Sequence, residues 1–142
     1  MKNLVLFFSG CFILISCSNR NDIDNIISNE YEKCDSKTNC IVDLAVSMNF
    51  EWDTMCYYSG AYSLEEINQD LGFDLKQFTD IGDRVIFLSK GNIVYQKEWF
   101  PNPSEPKIGT VFKTDLKKFR VSKLDARFRI NKEGQVFFLT KL

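Results

Sequence analysis

The sequence predicts an α+β domain in which two short helices pack on a mainly antiparallel β-sheet. Three observations lead to this fold class. Two helical patterns occur early in the chain, extended segments follow one another through most of the rest, and turn-forming residues separate those segments. Consecutive strands joined by tight turns pair antiparallel, because a parallel pair needs a long crossover connection.

The first helix is predicted over residues 23–33, where apolar side chains recur at helical spacing and Asp22 can cap the first turn. The second helix begins at Ser63. Ser63 and Glu66 have the spacing of a capping box, in which each side chain bonds the backbone of the other residue. Gly72 is placed to end this helix in a left-handed conformation.

The strands are predicted from alternating or β-rich apolar runs at residues 40–46, 50–58, 85–88, 93–95, 110–112, 119–121, 126–131 and 136–140. Gly91 and Gly134 lie in short polar connections, which predicts two hairpins. The alternation in residues 50–58 places five side chains on one face: Phe50, Trp52, Thr54, Cys56 and Tyr58. Pro101, Pro103 and Pro106 predict a loop.

The amino terminus predicts a signal peptide over residues 1–16. Lys2 supplies a positive charge, and residues 4–15 form an apolar run broken only by Ser9 and Gly10. A helix of that length covers about 18 Å, whereas the hydrocarbon of a bilayer is roughly 30 Å thick. The run is therefore too short to span a membrane comfortably.

The apolar run ends in Leu14-Ile15-Ser16-Cys17, which resembles the lipobox of bacterial lipoproteins. The resemblance implies cleavage before Cys17 and attachment of diacylglycerol to its sulfur. The alternative is an ordinary secretory site that leaves Cys17 as an incidental thiol, but the small residues that such a site requires are missing.

After cleavage, residues 17–22 are expected to form the lipidated cysteine and a tether, and residues 23–142 a single domain. The five residues after Cys17 span at most about 17 Å, so the domain is expected close to the lipid headgroups. Ser18 resembles an outer-membrane sorting signal. The expected location is therefore the outer membrane, with the domain facing the periplasm.

Cys34, Cys40 and Cys56 belong to the expected domain. Cys34 and Cys40 are separated by five residues, a spacing more natural for a loop-closing disulfide than for redox or zinc chemistry. We therefore predict a disulfide between Cys34 and Cys40, with Cys56 buried and reduced.

The chain contains no histidine, which excludes serine triads, cysteine–histidine pairs and histidine-ligated metals. A glycine-rich phosphate loop is also missing, so neither a cofactor nor a metal is expected. Glu51 and Asp53 could share one face of a strand as a carboxylate pair. Because such spacings arise by chance among nineteen acidic residues, a solvated strand face is the preferred interpretation, and no catalytic residue is predicted.

Charge is distributed unevenly along the sequence. Residues 17–83 hold fourteen acidic and four basic side chains, whereas residues 113–132 hold eight basic and two acidic ones. The acidic half could meet a basic protein partner, and the basic stretch could meet anionic lipid. Both could also be solvated faces, with Arg127 and Arg129 opposite Phe128 and Ile130 on one strand. An envelope location argues against nucleic acid as a partner.

A longer set of residues resembles a group of small, uncharacterised envelope lipoproteins of Gram-negative bacteria. The resemblance covers residues 34–142. It lies in the run Phe50-Glu51-Trp52-Asp53-Thr54-Met55, in Tyr57 and Tyr58, Leu71-Gly72, Phe78-Thr79, Arg84-Val85-Ile86-Phe87-Leu88, Lys90-Gly91 and Ile93-Val94-Tyr95. It implies no activity and no ligand residue, and Cys56 departs from the aliphatic or aromatic residue that is usual there.

These observations favour a membrane-anchored lipoprotein whose periplasmic domain binds or inhibits a protein, as an immunity protein does, without catalysis. The alternative is a structural envelope lipoprotein that holds a membrane-associated complex together.

Overall fold

A computed structural model describes residues 22–99 and 108–142. Cys17, the expected signal peptide and Pro101, Pro103 and Pro106 lie outside the described residues. Within that part of the chain the helices are α1 Ile23–Lys33, α2 Leu44–Ser47 and α3 Leu64–Leu71, with a 3-10 turn at Lys123–Asp125. The strands are β1 Cys40–Asp43, β2 Thr54–Tyr58, β3 Asp83–Ser89, β4 Asn92–Trp99, β5 Gly109–Phe112, β6 Lys118–Ser122, β7 Arg127–Glu133 and β8 Val136–Lys141.

The strands form two four-stranded sheets. The strand order is β1-β7-β8-β5 in the first sheet, called sheet A, and β4-β3-β2-β6 in the second, called sheet B. All neighbours pair antiparallel except β5 and β8, which pair parallel. The predicted α+β class with a mainly antiparallel sheet is therefore confirmed, although the strands divide between two sheets. No helix in the described part of the chain has the length and apolar character needed to cross a bilayer.

The main hydrophobic core lies between the two sheets and includes one side of α1. Ile23, Ile26 and Ile27 of α1 are buried there with the inward side chains of both sheets. Phe87 of β3 is central, because Trp52 meets its ring edge-on with the centroids 4.9 Å apart. Aromatic pairs of this geometry add stability beyond the area that they bury.

A smaller core lies on the other side of sheet B, beneath α3. It contains Cys56 and Tyr58 of β2, Ile86 and Leu88 of β3, and Ile67 of α3. Both faces of β2 and β3 are thus covered, so nearly every residue of these two strands is buried.

Two predicted strands are shorter than expected. β1 ends at Asp43 instead of continuing to residue 46, because the Asp43 side chain accepts a hydrogen bond from the Ala45 amide and starts α2. The helix α2 was not predicted from the sequence. β2 begins only at Thr54 instead of Phe50, so the predicted single face is wrong: Trp52 packs in the main core, whereas Cys56 faces α3.

The predicted helices and turns are otherwise confirmed. α1 has the predicted bounds, with Asp22 accepting a hydrogen bond from the Asp24 amide. α3 has the capping box and ends at Gly72 with φ of 82°. In the β3–β4 hairpin both Lys90 and Gly91 have positive φ, the combination that a two-residue type I′ turn requires.

Candidate functional site

Cys34 and Cys40 form a disulfide, with their Cα atoms 5.6 Å apart. The bond joins the end of α1 to the start of β1. Cys56 is free and buried. Burial raises the pKa of its thiol, although the nearby Arg120 guanidinium opposes the shift. The thiol therefore stays protonated at neutral pH, which makes it a poor nucleophile.

The carboxylates of Glu51 and Asp53 have separate structural surroundings. Asp53 accepts hydrogen bonds from the Lys90 amide at 2.6 Å and from the Thr54 hydroxyl at 2.8 Å. Both bonds lower the pKa of Asp53, opposite to the shift that a general acid at neutral pH needs. The Glu51 side chain is 95% exposed and lies 3.6 Å from the ammonium of Lys123. The two carboxylates therefore do not form an acid–base pair.

A polar network joins α3 to sheet B around Asp70. The Tyr58 hydroxyl and the Lys118 ammonium donate to its carboxylate at 2.6 and 2.7 Å. Arg120 donates to the backbone carbonyl of Asp70 at 3.2 Å. The bond from Lys118, followed by that from Tyr58, lowers the pKa of Asp70. Each charged member has an opposite charge beside it, so the network is suited to holding α3 in place.

The acidic and basic parts of the sequence meet in the fold. Besides Lys118 with Asp70, Lys123 lies 3.6 Å from Glu51, and Lys132 lies 3.8 Å from Glu32. The uneven charge along the sequence is therefore partly neutralised by contacts between distant segments.

The arginines that point outward from sheet A take no part in such contacts between acidic and basic segments. Arg127 and Arg129 are exposed on β7, while Phe128 and Ile130 between and after them are buried in the main core. This arrangement confirms the predicted two-sided strand. Neither arginine has a carboxylate partner among residues 22–99 and 108–142.

The start of the domain is tied to two distant strands by Asp24. Its carboxylate accepts from the Trp99 indole at 3.1 Å and from the Thr110 amide at 2.8 Å. Lys97 bridges Asp22 and Asp24 at 2.6 and 3.3 Å. Sequence reasoning missed this cluster, since the two aspartates lie more than 70 positions before Lys97, Trp99 and Thr110 and share no motif with them. The cluster fixes the position of the first described residues.

Arg84 is a second residue that sequence reasoning missed. Its side chain is fully buried beneath Phe78, whose ring centroid lies 4.1 Å from the guanidinium carbon. It donates to the carbonyls of Thr79 and Gly82 at 2.8 and 3.0 Å, and Glu98 lies 3.6 Å away. Burial lowers the pKa of Arg84. The contacts hold the segment before β3 against sheet B.

Two aliphatic side chains protrude from neighbouring short elements at one end of the molecule. Val46 of α2 is 82% exposed, and Leu124 of the 3-10 turn is 89% exposed. The two elements are in contact, and the Leu44 amide donates to the Ala126 carbonyl beside them. We call Val46 and Leu124 the distal pair.

The distal pair and the contact of Asp24 with β5 lie toward opposite ends of β7, although Ser47, next to Val46, lines the same surface depression as Asn25 of α1. Thr110, which binds Asp24, pairs with Phe137 of β8, and Phe137 pairs with Lys132 near the carboxyl end of β7. The distal pair lies at the amino end of the same strand. These two positions are five residues apart along β7, a distance of about 17 Å.

Comparison with protein-family models, curated proteins and solved structures found no match to this chain. The resemblance to envelope lipoproteins therefore stays a prediction from the sequence.

Proposed function

We propose that the protein is an envelope lipoprotein, anchored through a lipid on Cys17, whose periplasmic domain binds a protein partner and catalyses nothing. The expected location is the outer membrane. A partner such as a toxin or a wall hydrolase, blocked as an immunity protein blocks its target, fits this proposal.

The chemistry of the chain supports a binding role over an enzymatic one. The sequence has no histidine, the side chain that most often transfers protons at neutral pH. Glu51 and Asp53 have the sequence spacing of a carboxylate pair, but each contacts a different group. Glu51 lies beside Lys123, and Asp53 accepts a hydrogen bond from the Lys90 amide. The free thiol of Cys56 is buried.

The observation that carries the proposal is the exposure of the distal pair. Val46 and Leu124 are the two most exposed of the ten large hydrophobic side chains that reach the surface in the described residues, and they protrude from adjoining short helices. Apolar side chains that a partner can cover are typical of the centre of a protein interface.

A photo-crosslinking amino acid at position 124 tests the partner, with the same amino acid at Gln69 as the matched control. Gln69 is exposed on α3, on the far side of sheet B. We expect one envelope or toxin protein to crosslink from position 124 and not from position 69. The purified partner should then bind the domain, and Leu124→Asp should weaken binding at least tenfold.

Equal crosslinking from positions 124 and 69, or unchanged affinity of Leu124→Asp, would contradict binding at the distal pair. Turnover of a wall or lipid substrate that Asp53→Asn abolishes without unfolding the domain would contradict the non-catalytic role. If the partner is an enzyme or toxin, loss of its activity on binding supports inhibition, whereas retained activity supports a scaffold.

The anchor is tested separately by growing cells with labelled fatty acid. We expect the wild-type chain to take up the label and Cys17→Ala to take up none. An unlabelled wild-type chain, or a labelled variant, would rule out lipidation at Cys17.

A further inference from the structure

The outer face of sheet A, the side turned away from the main core, combines cations with apolar side chains. Arg127 and Arg129 of β7 lie on it. The apolar side chains are Ile41, which is opposite Arg129, and Phe138 and Val111, which pair with each other across β8 and β5. Their chain neighbours Val42, Leu139 and Phe112 point into the core, so strand alternation turns these residues outward.

No helix in the described part of the chain covers this face. α1 packs on the inner side of sheet A, and α3 packs on sheet B. Lys113, at the end of β5, adds a third cation, with its ammonium 6.0 Å from the centroid of the Phe138 ring. Phe138 and Val111 are half-buried, and Ile41 is exposed. The face therefore offers a shallow apolar centre with cations around it.

The three cations of this face lack carboxylate partners within residues 22–99 and 108–142, in contrast to Lys118, Lys123 and Lys132. Two acids lie near the ends of the face. Asp43 is the cross-strand neighbour of Arg127, but its carboxylate caps α2, and Glu133 lies at the β7–β8 turn. The face thus carries three cations that form no ion pair within the described residues.

The start of the domain lies at one edge of the same sheet, because Asp24 binds the Thr110 amide of the edge strand β5. Four strands spaced about 4.8 Å apart place the opposite edge roughly 14 Å away. The residues from Ser18 to Asp22 reach at most about 17 Å. Asp22 also pairs with Lys97 of β4, so the start lies on the inner side of β5, and a tether of this length can pass around that edge strand and let the outer face lie on the bilayer.

We propose that the outer face of sheet A binds the headgroups of anionic phospholipids, with Lys113, Arg127 and Arg129 contacting phosphates and Phe138 lying at the interface. This inference rests on the proposed anchor at Cys17. It adds a defined orientation: the domain lies on the membrane instead of moving freely about its tether. The complementary charge and the short tether favour lipid over a protein as the occupant.

An environment-sensitive fluorophore at Asn131→Cys tests the contact. Asn131 is exposed beside Phe138 on the proposed surface. The lipidated full chain is reconstituted in vesicles of phosphatidylcholine alone or mixed with phosphatidylglycerol. Because Cys17 carries lipid, Cys34 is in a disulfide and Cys56 is buried, the dye reacts only at position 131.

We expect a blue shift with phosphatidylglycerol that high salt reverses, since salt screens exposed charges. A dye at Gln69→Cys, on α3, should not shift. Neutralising Arg127 and Arg129 to Gln should lower the ratio of docked to undocked domain roughly fivefold for each arginine, about 1 kcal/mol each. The charge-matched control Lys76→Gln with Lys90→Gln should leave the shift unchanged.

Mass analysis of the reconstituted chain separates the two proposals. A lipidated chain whose dye at position 131 responds equally to both vesicle types refutes the docking face and leaves the anchor standing. A chain without lipid refutes the anchor, and this inference falls with it. A blue shift that grows with the number of protein molecules per vesicle and not with the phosphatidylglycerol content would assign the face to a second copy of the chain and overturn lipid binding.

Discussion

The hydroxyl of Tyr58 donates a hydrogen bond of 2.6 Å to the carboxylate of Asp70 and so joins β2, an inner strand of sheet B, to α3. Burial, followed by this hydrogen bond, raises the pKa of Tyr58. The hydroxyl therefore stays a donor over the whole range in which the domain is expected to be folded. Lys118 binds the same carboxylate from β6, so one acidic side chain connects three elements.

Asp70→Asn is expected to lower the free energy of unfolding by about 1–2 kcal/mol at neutral pH. The folded state depresses the pKa of Asp70, so this contribution is present above the unfolded pKa, near 4, and is lost as pH falls through the folded pKa. Urea titrations over a pH series should show the difference from wild type shrinking only in acid. A constant difference at all pH values would contradict this origin, and Asp115→Asn, an exposed loop carboxylate, is the control.

Asp53→Asn should lower the urea midpoint and speed hydrogen exchange of the Lys90 amide, because the variant replaces an ionised acceptor with a neutral one. Glu51→Gln changes the same charge two residues away on a side chain that is almost fully solvated, and it should leave both quantities unchanged. Equal effects of the two substitutions would show that Asp53 does not stabilise the β3–β4 turn.

Gly109→Ala should destabilise the domain by about 1–3 kcal/mol. Gly109 has φ of 99°, and an added Cβ would lie 3.0 Å from the Asp24 carboxylate. Gly134→Ala is the matched control, because Gly134 has φ of 59° and open space around it. Its cost should be only about 1 kcal/mol. Thermal or urea unfolding measures both, and a Gly134→Ala cost as large as that of Gly109→Ala would exclude the close approach of Asp24 as a cause.

Replacing both Cys34 and Cys40 with Ser should lower the free energy of unfolding by about 2–3 kcal/mol, the loop-closure contribution of a disulfide across so short a segment. A reducing agent should destabilise the wild-type protein by a similar amount and leave the double variant unaffected. Alkylation of the native protein should not modify Cys56. Free alkylation of Cys34 or Cys40 in the native protein would contradict the bond.

Local signals in the sequence were sufficient wherever the structure depends on neighbouring residues. The bounds of α1, the capping box of Ser63 and Glu66, and the two glycine-containing hairpin turns were all predicted. In each case the stabilising contact lies within a few positions along the chain. The alternation of Arg127 and Arg129 with buried Phe128 likewise follows from strand geometry alone.

Only the tertiary structure decided the features that depend on distant segments. The alternation in residues 40–46 fits a strand, yet the Asp43 side chain and the burial of Leu44 turn the chain into α2. The pattern in residues 50–58 cannot show that both faces of β2 are covered, because one cover is sheet A and the other is α3.

The features that bear on function also separate into those that the sequence determines and those that the tertiary structure determines. The sequence determined the fold class, the disulfide spacing, the absence of histidine chemistry and the lipobox-like end of the apolar run. The tertiary structure decided that Asp24 fixes the start of the domain at β5 and that acidic and basic segments partly neutralise each other. It also decided that Arg127 and Arg129 form no ion pair within the described residues. The reason is physical: side-chain charge and local geometry are properties of nearby residues, whereas burial and pairing depend on which distant segments the fold brings together.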